Sequence, residues 1–145
     1  MPLHVTLPFQ AKPQGSKNAF KLPNGKIVLV ESARNLKPLR AVASAIIADQ
    51  AEQQGWNLTD KSIDIRIIFI MERPKTVTRR HHTVKPDIDK MVRFTLDAVT
   101  DAKTVWKDDS QVTHLQAKKR YITEHDPQPQ VQISIWEQNA ETTRD

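Results

Sequence analysis

Two aspartates two residues apart, Asp87 and Asp89, follow Lys85 and Pro86 where a basic stretch gives way to a segment with helical spacing. A second pair, Asp108 and Asp109, stands just before a run that alternates like a strand. Carboxylates converging from a helix start and a strand start suit a hard divalent cation such as Mg²⁺, which prefers oxygen ligands and keeps several of its waters. Such an ion polarises a scissile phosphate, lowers the pKa of a bound water and neutralises developing charge. Each pair also has an ordinary explanation. Aspartates at a helix N-terminus satisfy free N–H groups and complement the macrodipole, and Asp108, Asp109 and Ser110 can form a turn.

Cations flank these acids. Asp89, Arg93 and Asp97 are spaced by four and share one helix face, where Arg93 could serve a phosphate or simply pair with its neighbours. Before Glu31 there is no acidic residue, while Lys12, Lys17, Lys21 and Lys26 supply positive charge; Arg73, Lys75, Arg79, Arg80 and Lys85 form a second acid-free group, and Lys118, Lys119 and Arg120 a third. The formal charge of +5 and a pI near 9.6 favour an acidic partner such as nucleic acid, though any one basic run can be a solvated face. His81 and His82 read as solvated members of the basic loop, and Trp106 as a buried anchor beneath Asp108 and Asp109 rather than a base-stacking platform.

The elements that must position these groups follow from periodicity. A short strand over Leu3–Leu7 is closed by Pro8, and residues 10–25, with Pro13, Gly15, Pro23, Asn24 and Gly25, read as a loop before a second short strand at 26–30. Leu39, Val42, Ala43, Ile46, Ile47 and Ala51 recur at helical spacing from Pro38 until Gly55. Residues 62–71 place five apolar side chains on one face and read as a central strand. The polar stretch 73–85 reads as an exposed, mobile loop. From Asp87 the stripe Ile88, Met91, Val92, Leu96 and Val99 predicts a helix ending near Ala102, with strands at 112–122 and 130–136 beyond it. The expectation is a small single α/β (α+β) domain over residues 1–137, with a mixed sheet, two main helices and a frayed tail at 138–145. No internal repeat is visible.

With no cysteine among 145 residues, disulfides, thiolate chemistry and cysteine-ligated metals are excluded. The first nine residues lack the basic and apolar regions of a leader, and no apolar run approaches a membrane span, so a cytoplasmic protein without membrane association is expected.

The run from Lys85 to Val99, K-P-D-I-D-K-M-V-R-F-T-L-D-A-V, followed by V-W-K-D-D-S-Q-V ending at Val112, resembles the core signature of RusA-type Holliday junction resolvases. Specificity lies in the two blocks occurring together, in this order and at this interval. The resemblance implies an endodeoxyribonuclease with Asp87, Asp89 and Asp109 as catalytic metal ligands for Mg²⁺, with Mn²⁺ as a substitute, and Asp108 as a neighbour. It implies a RusA-like fold working as a symmetric homodimer on four-way DNA junctions, without a nucleotide cofactor, and it is a type resembling products of phages and prophages. Two cuts related by symmetry match two equivalent sites. Two positions depart from the pattern: Lys90 stands where asparagine is usual and Arg93 where lysine is usual. An electrostatic role tolerates arginine at the latter position, whereas a proton-donating role does not.

The expected function is therefore Mg²⁺-dependent, structure-selective cleavage of Holliday junctions by paired symmetric cuts. Asp87, Asp89, Asp109 and Arg93 are its catalytic residues, while Lys12, Lys17, Arg73, Lys75, Arg79, Arg80, Lys85, Lys90, Lys118 and Lys119 contact DNA. The rival readings are a less selective metal-dependent nuclease acting on flaps or single strands, and a non-catalytic DNA-binding module.

Overall fold

A computed structural model of the protein describes residues 1–11, 17–21, 23, 27–31 and 37–138. The long strand β4 (Ile63–Met71) has β6 (Gln130–Glu137) antiparallel on one side and β5 (Val112–Tyr121) parallel on the other, and β1 (Leu3–Leu7) extends the sheet beyond β6. The spatial order is β1-β6-β4-β5, a mixed sheet with β4 inside and β1 and β5 as edges. The register is carried by apolar pairs on one face, Leu3↔Ile135 and Val5↔Ile133 across β1 and β6, then Ile65↔Ile135 and Ile67↔Ile133 across β4 and β6. A slip of one residue would turn all of them to water, which is why alternation in the sequence specifies the pairing.

That apolar face is covered by α1 (Lys37–Gln53) and α2 (Ile88–Ala102). Helix α1 ends as the sequence predicts. Gly55 takes φ +70, its N–H reaches Glu52 O at 3.1 Å and the next N–H, of Trp56, reaches Ala51 O at 2.9 Å, the paired bonds of a Schellman stop. The helices are joined by a buried bond from Ser44 Oγ to Ala98 O (2.9 Å) and by Arg40, which sits 2.7 Å from Asp101 and 3.9 Å from Asp97.

Three elements differ from expectation. The stretch read as loop contains a strand, β2 (Lys17–Lys21), paired antiparallel with β3 (Ile27–Glu31) as a separate two-stranded sheet. The Pro23 to Gly25 turn residues between the two strands were the available hairpin signal. Helix α2 buries Met91, Phe94, Thr95, Ala98 and Val99 most fully, while Ile88 and Leu96 lie at the margin of that face and are half-buried. Gln138, expected to fray, is tied to Ser62 by its N–H (2.8 Å to Ser62 O), and its Oε1 accepts from Ser62 Oγ (2.6 Å) and Thr113 Oγ1 (2.7 Å). Residues 139–145 lie outside the described residues. No described helix is long and apolar enough to cross a membrane.

One feature of the topology governs the site. Parallel strands need a crossover, and here α2 provides it, leaving the C-terminal end of β4 and returning to the start of β5. The beginning of α2 therefore lies at the Met71 and Tyr121 end of the sheet, and the segment before Val112 lies at the Ile63 end.

Candidate active site

Asp87 occupies the N-cap position of α2 with φ −69 and ψ 140, and its carboxylate makes no capping hydrogen bond. It is exposed, 3.8 Å from the Lys90 ammonium, and Asp89 is exposed one half-turn on. Capping is thus not what Asp87 does. Arg93 is exposed and makes no ion pair among the described residues, since Asp97, its expected partner, faces Arg40 of α1.

At the other end of α2 the second pair divides its labour. Asp108 caps a 3-10 turn over Asp109–Gln111, its Oδ2 accepting from Ser110 N at 3.1 Å. Hydrogen bonds from Ser110, the hydroxyl first and the backbone N–H next, hold its carboxyl below the usual value. Asp109 is half-buried; its carbonyl accepts from the Val112 N–H, but its carboxylate has no hydrogen-bond or ion-pair partner among the described residues.

Gln111, to which sequence reading gave no role, fixes this turn. Its Oε1 accepts from Lys107 N (2.8 Å) and Asp108 N (3.0 Å), and its Nε2 donates to Thr59 O (3.0 Å) and Lys61 O (2.9 Å). Trp106 is fully buried and donates through Nε1 to Thr100 Oγ1 at 2.8 Å, the anchoring role expected of it.

Within one chain the two pairs stand apart. Fifteen residues of α2 rise about 22 Å, with Asp87 and Asp89 before and on its first turn and Asp109 beyond its last. Among the described residues no three His, Asp or Glu side chains stand close enough together to hold a metal ion.

The basic loop is more ordered than a solvated stretch, because it is built around Tyr121. Arg73 lies over the Tyr121 ring with its guanidinium carbon 4.2 Å from the centroid, and it donates to Arg79 O (2.9 Å). Arg79 Nε donates to the Tyr121 hydroxyl at 2.9 Å. His82, read as solvated, is instead buried at 8 % exposure, its ring centroid 5.1 Å from that of Tyr121. Burial, with Lys119 next in effect, lowers its pKa below 6.5. His81, Lys75, Arg80 and Lys85 are exposed as expected.

The triplet 118–120 resolves into three different situations. Lys118 is exposed on the open face of β5. Lys119 donates to Val84 O at 2.7 Å and Pro86 O at 3.0 Å, while Arg120 pairs with Asp126 at 2.5 Å. Lys12 lies outside the described residues, and Lys17 opens β2.

The family described as Endodeoxyribonuclease RusA matches the chain over residues 8–135, a span that includes both aspartate pairs. The chain is also similar to the uncharacterized protein YqaN of Bacillus subtilis (strain 168), 29% identical over 143 residues, which are 90% of each chain.

Proposed function

Because this chain belongs to the RusA endodeoxyribonuclease family, we propose that it resolves four-way DNA junctions by paired cuts, using Mg²⁺ held at sites completed between two copies. In each cut the oxygen of a water bonds to phosphorus and one phosphate ester bond breaks. What carries the reading is the placement of the three aspartates: the carboxylates of Asp87, Asp89 and Asp109 accept no hydrogen bond among the described residues, and they stand at opposite ends of α2.

An oxygen-only donor set fits a hard ion, but among the described residues one chain offers two of the three carboxylates, Asp87 and Asp89, at the start of α2 and only Asp109 beyond its end. A two-fold partner with its α2 antiparallel would bring its own Asp109 to the Asp87 and Asp89 of the first copy, and the reverse. The edge favours such a contact. Among the described residues strand β5 is unpaired on its outer side, and Leu115 within it and Val84 beside it are 42% and 44% exposed.

When bound, the ion would polarise the scissile phosphate and acidify the attacking water. The chain's own groups do the rest. Arg93, one turn after Asp89, sets a guanidinium beside the phosphate to stabilise charge that develops there. Arg80, Lys75, Lys85 and Lys90, near the start of α2, and Lys118 on the open sheet face contact the junction arms, with Arg73 and Arg79 shaping the loop that presents them. The protein is expected to act in the cytoplasm.

The test is cleavage of a synthetic four-way junction and a matched linear duplex with Mg²⁺, Mn²⁺ or a chelator. The junction should be cut in two symmetric strands with either metal and left whole with chelator, and the duplex should survive. Equal cutting of both substrates would favour a less selective nuclease, and cutting in chelator would remove the metal from the account.

A further inference from the structure

We infer that Lys119 is a positioning residue for the Asp87 carboxylate and not a DNA contact. The inference rests on the proposed site, in which Asp87 is a ligand. Sequence alone places Lys119 inside a basic triplet, as one more phosphate contact. Its ammonium is turned the other way, to the helix-covered side of β5, where it sits opposite Phe69 of β4 and is half-buried.

Two of its three N–H donors are committed, to Val84 O at 2.7 Å and Pro86 O at 3.0 Å. Pro86 O belongs to the peptide that joins Asp87 to the chain, so the lysine fixes the plane from which the Asp87 side chain departs. The side chain itself has no capping bond to hold it. Among the described residues only its own backbone and the Lys90 ammonium at 3.8 Å restrict where the carboxylate points. Around the clamp, His82 is buried against Tyr121, and Arg79 holds the Tyr121 hydroxyl. A single residue at the end of β5 thus ties the sheet to the loop that delivers the first ligand.

Groups that orient a ligand without touching the ion typically change metal affinity or activity by about 10-fold to 100-fold. Lys119→Met, in the full-length protein, should therefore slow single-turnover cleavage of a bound junction by about tenfold or more and raise the Mg²⁺ concentration needed for half the maximal rate. The salt slope of junction binding should stay at the wild-type value. Lys118→Met should instead lower that slope by about one unit, as loss of a phosphate contact does. Should Lys119→Met melt below the assay temperature, Lys119→Gln, which loses the charge and carries its two N–H donors on a shorter stem, is read in the same way. A Lys119 variant with the slope lowered by about one unit and an unchanged Mg²⁺ dependence would overturn the inference. Asp87→Asn run alongside separates the two levels: if it cuts at the wild-type rate, Asp87 is no ligand and the site itself is misassigned.

Discussion

A carboxylate at the start of a helix ordinarily accepts hydrogen bonds from the free N–H groups of the first turn. Asp108 does this for its 3-10 turn and Asp87 does not do it for α2, so two aspartates in similar places have different work. Arg93 presents the same question in reverse, since a surface arginine with acids four residues either side ordinarily pairs with them. It makes no such pair among the described residues: Asp97 faces Arg40 of α1 at 3.9 Å, and Asp89 is exposed without an ion-pair partner. Arg93→Ala should accordingly lower the single-turnover cleavage rate about a hundredfold or more with little loss of junction binding, the scale of losing one group that stabilises transition-state charge. Arg93→Lys should keep much of the rate. A near wild-type rate for Arg93→Ala would take it out of the active site, leaving a surface charge worth at most about 1 kcal/mol. The identity of Asp87, Asp89 and Asp109 as candidates was legible from residue types and spacing. Half of Gln111's duty was encoded locally, as the Asp108-x-x-Gln111 capping box, but its bonds to Thr59 O and Lys61 O, and those of Lys119, were not, because they reach backbone carbonyls remote in sequence.

Among elements, the loop between β4 and α2 departs furthest from its sequence reading. Its polarity and lack of period predict a solvated segment, yet Tyr121, supplied by β5, gathers Arg73, Arg79 and His82 around one ring. Strands β1, β4, β5 and β6 and both helices were legible because alternation and helical spacing report which face is buried. Strand β2 was read as loop because proline and glycine crowd the stretch around it, although the Pro23, Asn24 and Gly25 run was a hairpin signal. The buried His82 ring makes the loop's packing sensitive to pH. Its folded pKa lies below 6.5, so between that value and 6.5 the unfolded chain binds more protons than the folded one, and stability falls as pH is lowered through the window. The melting temperature should therefore drop between pH 7.5 and 5.5, and His82→Phe should flatten that drop. Parallel pH profiles for the two proteins would show that His82 is not held neutral by the fold.

At the scale of the whole molecule, the crossover that makes β4 and β5 parallel also separates the acids. Because α2 spans the sheet from one end to the other, the two aspartate pairs stand at opposite ends of a helix that rises about 22 Å, a separation already implied by the helical spacing between them. The apolar edge at Leu115 and Val84 and the surplus of positive charge fit a two-fold assembly on branched DNA. That arrangement has a consequence that a site within one chain does not share. Asp89→Asn and Asp109→Asn should each be inactive as pure proteins. In a mixed dimer made by co-refolding the two, one composite site contains both substitutions and the other contains neither. Mixing two inactive proteins should therefore restore nicking of a four-way junction in Mg²⁺, on one strand per junction and without the paired second cut. A mixture as inert as its components, when mixed dimers have been shown to form, would contradict the shared site.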